Sequence, residues 1–284
     1  ILAERVGVDL ENHKPADRLK KSDKMLMVEV NEAVTLFYEE KLWQTKKGDQ
    51  VMEYLLTRGL TEQTIKMFKL GYAPDSFSET NNFLLKKNFF KSKIIQVGLA
   101  LSKDISGSSI YDRFRGRLMF PVMNGLGKVV GFGGRALTQD QEPKYLNTPE
   151  TKLYQKGNLL YGFQLAKNNI KKRNEVLIVE GYMDMLAAFQ NGLDNVVACN
   201  GTALTQKQLS LLKPIAQTLV LGFDRDNAGR EASKRAFELA LEMNFDIKVL
   251  ILPKGKDIAE FCQKESVEIQ KIYAKYRVTY IGVD

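Results

Sequence analysis

Five carboxylates stand at or just beyond the ends of apolar runs in the second half of the chain: Glu180, Asp184, Asp224, Asp226 and Asp257. Glu180 closes the run Val176-Leu177-Ile178-Val179, which reads as a short buried strand. Asp184 follows in the first turn of the next helix. Asp224 and Asp226 close a second run, Thr218 to Phe223, and their spacing lets both point to one side of an extended loop. Asp257 follows a third run and Lys254-Gly255-Lys256. Acids at the carboxyl ends of parallel strands open into the crevice where α/β sheets bind ligands. Acids this dense repel one another unless a cation neutralises them. Hard oxygen donors suit Mg²⁺ or Mn²⁺, with waters and substrate phosphates completing the shell. Capping of the following helices through the N-terminal dipole explains one or two of the acids, not the set.

The other reactive residue types are scarce. His13 is the single histidine and lies in a polar leader, which excludes Ser-His-Asp triads, histidine relays and histidine-rich metal centres. Two cysteines, Cys199 and Cys262, exclude a disulfide framework and a cysteine-rich zinc site, and both are expected as buried free thiols. No apolar run reaches the length that spans a bilayer. The formal net charge of +8 favours an anionic partner, nucleic acid above all. Arg113, Arg115 and Arg117 alternate, so a single strand through Tyr111–Arg117 would set three guanidinium groups on one face. Arg135, Lys144, Lys152 and Lys156 are interleaved with Tyr145, Tyr154 and Tyr161. Single-stranded nucleic acid needs this mixture: charge for phosphates and flat faces for bases. Gly131 to Ala136 formally fits a dinucleotide fingerprint, but Thr138 to Pro143 follows where a helix is required.

The elements that must position these residues fall into an α/β plan. Helices are predicted over 24–44, 49–58, Thr61 to Phe68 and Ser78 to Asn88, with Gly71–Pro74 as a turn, giving an all-helical front lobe. From 93 to 170 helical periodicity stops. Two β-rich runs, Leu118 to Val122 and Lys128 to Phe132, flank a hairpin signal at Asn124–Gly127. From 175 onward strands and helices alternate, which predicts a mostly parallel sheet with right-handed crossovers. A last helix is predicted over Glu265 to Tyr276, with the remainder fraying. The expected divisions are 1–23 as linker, 24–170 as an α+β N-terminal subdomain with a basic ridge, 171–264 as a Rossmann-like α/β metal-binding domain, and 265–284 as a C-terminal helical segment.

Val179-Glu180-Gly181-Tyr182-Met183-Asp184 together with Asp224-Arg225-Asp226-Asn227-Ala228-Gly229-Arg230 resembles the Toprim signature. Toprim domains occur in bacterial-type primases, type IA and II topoisomerases, recombination mediators and some nucleases. Further blocks select among these: Tyr54 to Leu60, Gly71 to Pro74, Tyr111 to Pro121, Gly131 to Arg135, Lys144 to Asn147 and Lys156 to Gly162 resemble the RNA-polymerase core of bacterial DnaG-type primases. The resemblance implies a nucleotidyltransferase that makes short RNA primers on single-stranded DNA from ribonucleoside triphosphates, using Mg²⁺ or Mn²⁺. It places such a core between a zinc-binding module, of which residues 1–23 would hold a remnant, and a C-terminal domain that binds the replicative helicase. Zinc is then expected outside this chain, and the location is cytoplasmic, at the replication fork, with no membrane.

Residue by residue, the resemblance makes Glu180 the catalytic or metal-organising acid, with Asp224 and Asp226 as metal ligands completing the catalytic set. It makes Asp257 a further ligand and Asp184 a supporting acid. Arg58, Arg135, Lys144, Tyr145, Asn147 and Lys156 fall on the ridge that binds template, primer or nucleotide phosphates. One departure stands out. The family's Asp-Pro-Asp is here Asp257-Ile258-Ala259-Glu260, so the second acid is lost or replaced imperfectly by Glu260. The rival readings are a Toprim nuclease or topoisomerase, for which none of the 11 tyrosines sits in a nucleophile context, and a non-catalytic single-strand-binding scaffold, which would have no use for a repulsive acid cluster.

Overall fold

A computed structural model describes residues 15–107, 109–223, 227–252, 257–265 and 269–279. The front of the chain is built on helix α1 (Pro15–Gln44). Met27, Val30, Val34, Tyr38 and Leu42 recur every three or four residues along it and all are buried. The helix begins within the stretch expected to be linker, with proline at its first position, where a missing N–H costs nothing. Thr45 and Thr61 cap α2 (Lys46–Thr57) and α3 (Glu62–Met67), their hydroxyls accepting from the Gly48 and Thr64 N–H groups.

The front lobe is not all helical. Gly71–Ala73, expected as a turn, is strand β1, and the helices α4 (Glu79–Lys86) and α5 (Lys91–Gln96) follow it. The short strands β2 (Ala100–Ser102) and β3 (Ile110–Asp112) pair with each other. β4 (Arg117–Met123) and β5 (Val129–Ala136) then form a hairpin around the Asn124–Gly127 turn, and β6 (Tyr145–Asn147) adds to its far side. The antiparallel order is β1-β4-β5-β6. β1 escaped the sequence reading because three residues carry no period; its place is set by pairing with β4. Gly71 is required there, since a Cβ would sit 2.7 Å from the Tyr38 backbone.

The strand expected through Tyr111–Arg117 does not form. Asp112 ends β3, Gly116 turns the chain at φ +58°, and only then does β4 begin. Period-two alternation needs uninterrupted extended backbone, so the three arginines do not share a face. Arg117 is 3% exposed and donates to the carbonyls of Gly134, Glu142 and Pro143, tying the β5–β6 connection to β4. Arg113 donates to the Asn147 carbonyl at 3.2 Å. Asp112 turns inward and its carboxylate accepts the Thr80 and Asn81 N–H groups, capping α4 from a distant strand.

Helix α6 (Phe163–Arg173) leads into the second half, where β7 (Glu175–Val179), α7 (Tyr182–Gln190), β8 (Val196–Ala198), α8 (Gln206–Leu212), β9 (Thr218–Gly222), α9 (Asn227–Glu242) and β10 (Asp246–Leu250) alternate as expected. The α10 (Ile258–Glu265) and α11 (Ile269–Tyr276) helices follow, and β11 (Arg277–Thr279) pairs antiparallel with β10 in the stretch expected to fray. The sheet order is β8-β7-β9-β10-β11, parallel except at β11. β7, between β8 and β9, is buried along its length, which is why Val176–Val179 is an unbroken apolar run; the buried Glu175 at its start is bonded by the Tyr273 hydroxyl and Lys248. The two sheets share one core. Tyr182 of α7 stacks on Phe120 of β4 at 4.6 Å and meets Tyr161 edge-on at 4.8 Å. Both cysteines are buried and free. No helix among the described residues is long and apolar enough to cross a membrane.

Candidate active site

A cavity of about 530 Å³ opens between the two sheets at the carboxyl end of β7. Glu180, Asp184 and Asp257 reach it from the second half of the chain; Arg58, Arg135, Lys144, Tyr145, Asn147 and Lys156 reach it from the first. Nine of the residues singled out from the sequence thus meet in one place. Arg113, Arg115 and Arg117 do not line it, and Asp224 and Asp226 lie outside the described residues.

The acidic lining is set by how β7 stops. Glu180 is the first residue past the strand, and its carbonyl accepts the Asn200 N–H at 2.9 Å, tying it to the end of β8. Asp184 projects from the first turn of α7, and its Oδ1 accepts the Ala259 N–H at 3.2 Å. The position where the sequence lost an acid therefore contributes through its backbone. Asp257 accepts the Glu260 N–H at 2.6 Å, at the start of α10. The negative field here is felt by both thiols. Burial, then the charge of Glu180, pushes Cys199 up to about 12; burial, then Asp184 and Asp257, does the same to Cys262. The donor set is all carboxylate oxygen and fits a hard divalent ion. Among the described residues, however, no three such side chains are close enough to enclose one ion.

The basic lining is braced by aromatic rings. The Arg135 guanidinium lies 5.5 Å from the ring centres of both Tyr54 and Tyr145, and its Nη1 donates to the Tyr145 hydroxyl at 2.9 Å. Arg58, just past the end of α2, also lies over Tyr54, 5.5 Å from its ring centre. Rings on which a guanidinium stacks fix its plane and leave its N–H edges for phosphate oxygens. Lys156 donates from Nζ to the Gly201 carbonyl at 3.1 Å, and burial lowers its pKa against the opposing pull of Glu150. Lys144 is exposed at the rim. Asn147 accepts at Oδ1 from the Tyr182 hydroxyl at 2.8 Å, so the first residue of α7 fixes a residue of the basic lining.

Three candidates escaped the sequence reading. Tyr54 carries a motif position but signals its role only through Arg58 and Arg135, which reach it from distant segments. Phe77 is 64% exposed and lies under Arg115, 4.6 Å from guanidinium to ring centre, with Tyr111 6.2 Å away. Asn200, at the mouth of β8, lines the cavity.

Residues 37–167 match the family described as DNA primase catalytic core, N-terminal domain, and residues 177–262 match the Toprim-like family. A DNA primase of Clostridium acetobutylicum is 41% identical over 271 residues, covering 94% of this chain and 44% of that protein. The chain thus spans less than half the length of the curated relatives it matches. The RNA polymerase domain of Mycobacterium tuberculosis primase DnaG superposes with a TM-score of 0.82 at 30% identity, covering 89% of this chain and 84% of that one. A DnaG primase catalytic domain solved bound to single-stranded DNA gives 0.80 at 32% identity, covering 91% and 81%.

Proposed function

The chain belongs to the bacterial DnaG-type primase family and carries its catalytic core; on that premise we propose that it performs template-directed synthesis of short RNA primers on single-stranded DNA. The observation that carries the reading is one cavity lined both by carboxylates and by cations, two of them braced on aromatic rings. A nucleoside triphosphate needs both: cations for its phosphates, and acids for the divalent ion that accompanies them. The proposed division of the chain is 24–170 as the subdomain that binds nucleic acid, with α1 reaching back to Pro15, and 171–264 as the Toprim domain, onto whose sheet α11 and β11 of the 265–284 segment pack. Contact with a replicative helicase and action at the replication fork in the cytoplasm belong to the same proposal.

In the reaction, the 3′-hydroxyl at the growing end attacks the α-phosphate of the next nucleotide in line, forming the new P–O bond as pyrophosphate leaves. Lys144 and Lys156 hold the triphosphate as point charges; Arg58 and Arg135 grip phosphate oxygens in two-pronged fashion. Glu180, Asp224 and Asp226 would hold Mg²⁺ or Mn²⁺, with Asp184 and Asp257 as outer acids. Such an ion supplies charge neutralisation at the phosphates and a lowered pKa for a bound hydroxyl. The test is incorporation of labelled ribonucleotides with Mg²⁺ on a single-stranded template, run beside a cleavage assay on supercoiled and single-stranded DNA. Template-dependent RNA products support the proposal; cut DNA without RNA products would favour a nuclease instead.

Two substitutions separate the binding functions. Lys156→Ala removes a cation from the lining of the cavity, and nucleotide affinity should fall about tenfold, in the range of one charge-assisted hydrogen bond. Calorimetric titration with GTP checks this. Phe77→Ala should leave nucleotide affinity alone and weaken single-stranded DNA binding about tenfold, the size of one stacked base. Anisotropy of a labelled oligonucleotide reads it, and an unchanged Kd would remove Phe77 from the DNA path.

A further inference from the structure

The turn after β8 holds a side chain that the proposed division of labour leaves unused. Asn200 and Gly201 both adopt the left-handed conformation, at φ +57° and +73°. Asparagine suits that backbone, since its short amide tolerates positive φ. Backbone fit alone does not explain this asparagine. Asn88, Asn174 and Asn244 also sit at positive φ, and each is exposed, with its amide within reach of water. Asn200 is only 8% exposed, lines the cavity, and its side-chain oxygen is buried with no hydrogen-bond partner among the described residues. Glycine would meet the backbone requirement without burying an unsatisfied amide.

A carbonyl oxygen without a partner asks for a donor. At neutral pH a triphosphate offers acceptors only, whereas sugar hydroxyls donate. The place favours the sugar too. The backbone N–H of Asn200 is bonded to the carbonyl of Glu180, which holds the residue at the carboxyl end of β7, beside the proposed catalytic acid. On the other flank, Lys156 is held against the Gly201 carbonyl, which sets a phosphate-binding cation beside the same turn. We propose that Asn200 is a specificity-determining residue, whose side-chain oxygen accepts a hydrogen bond from a ribose hydroxyl of the bound nucleotide and so favours ribonucleotides over deoxyribonucleotides. The terminal amide torsion is broad, so the oxygen turns toward the cavity without a change of backbone.

This rests on the cavity being the nucleotide site. The experiment therefore measures equilibrium binding of GTP and dGTP, with Mg²⁺, to the whole chain and to its Asn200→Gly and Lys156→Ala variants. Glycine keeps the left-handed turn, and an unchanged melting temperature verifies the fold. The expected result is a preference for GTP of about tenfold or more in the parent, as for a site that hydrogen-bonds a substrate hydroxyl. Asn200→Gly should bring GTP affinity down to that of dGTP and leave dGTP within about twofold. Lys156→Ala should weaken both nucleotides alike. A preference for GTP that survives in Asn200→Gly, or an equal loss for both nucleotides, overturns the sugar assignment while the nucleotide site stands. No binding by the parent, or affinities untouched by Lys156→Ala, overturns the site and the assignment together.

Discussion

Glu180→Gln is expected to cut primer synthesis by about 10²–10³-fold while the protein stays folded. That is the loss found when one preorganised electrostatic group is removed from a catalytic centre. The substitution keeps the shape of the side chain and the backbone bond from the Asn200 N–H to the Glu180 carbonyl, so the ends of β7 and β8 stay tied. What it removes is the charge at the mouth of the buried strand. The melting temperature should change little, because glutamine keeps the length and shape of the side chain and its capacity to accept hydrogen bonds. Single-stranded DNA binding should be unchanged, since Phe77 and Arg115 do not line this cavity. Primer synthesis by Glu180→Gln within tenfold of the parent, in Mg²⁺, would remove Glu180 from the centre of the reaction.

Glu180 could be read from the sequence because a buried parallel strand leaves a local mark. Four apolar residues, an acid and a glycine say where the strand stops and what stands at its end, and β7 to α7 follow that reading closely. The same holds for α1, whose buried positions keep the helical period over its length. Where local pattern and tertiary contact diverged, contact decided. Arg113, Arg115 and Arg117 have the spacing of one strand face, yet a single positive φ at Gly116 sends Arg117 into the core and leaves Arg115 over Phe77. β1 and β11 are three residues each and exist through pairing with β4 and β10. Within the cavity, the basic positions carried motif signals, but their supports did not. Tyr54 under Arg135, Tyr182 bonded to Asn147 and the buried side-chain oxygen of Asn200, unpartnered among the described residues, are all products of segments distant in sequence meeting at one point.

The contact between Gly133 and Tyr182 is the sharpest of these meetings, and Gly133→Ala should damage stability and activity together. Gly133 lies inside β5 with no positive φ, so backbone freedom is not the reason for glycine. A Cβ there would lie 2.3 Å from the Tyr182 hydroxyl and 2.4 Å from Cζ of its ring. Tyr182 has nowhere to retreat. Its ring stacks on Phe120, meets Tyr161 edge-on, and its hydroxyl donates to Asn147. Overpacking of this kind costs about 1–3 kcal/mol, and a lost buried hydrogen bond adds about 1 kcal/mol. For a chain of 284 residues that lowers Tm by roughly 3–7 °C. Activity should fall further than the stability loss explains, because Tyr182 is the first residue of α7, two positions past Glu180, and the partner of Asn147, which lines the same cavity. Tyr182→Phe in the same chain should restore little, since Cζ remains in the way. Tyr182→Leu, which removes the ring's far edge, should recover part of the Tm lost to Gly133→Ala, giving a favourable coupling in the double-mutant cycle. A Gly133→Ala protein that melts within one or two degrees of the parent would mean that the two sheets are not held apart by this contact, and that the spacing of the cavity walls is set elsewhere.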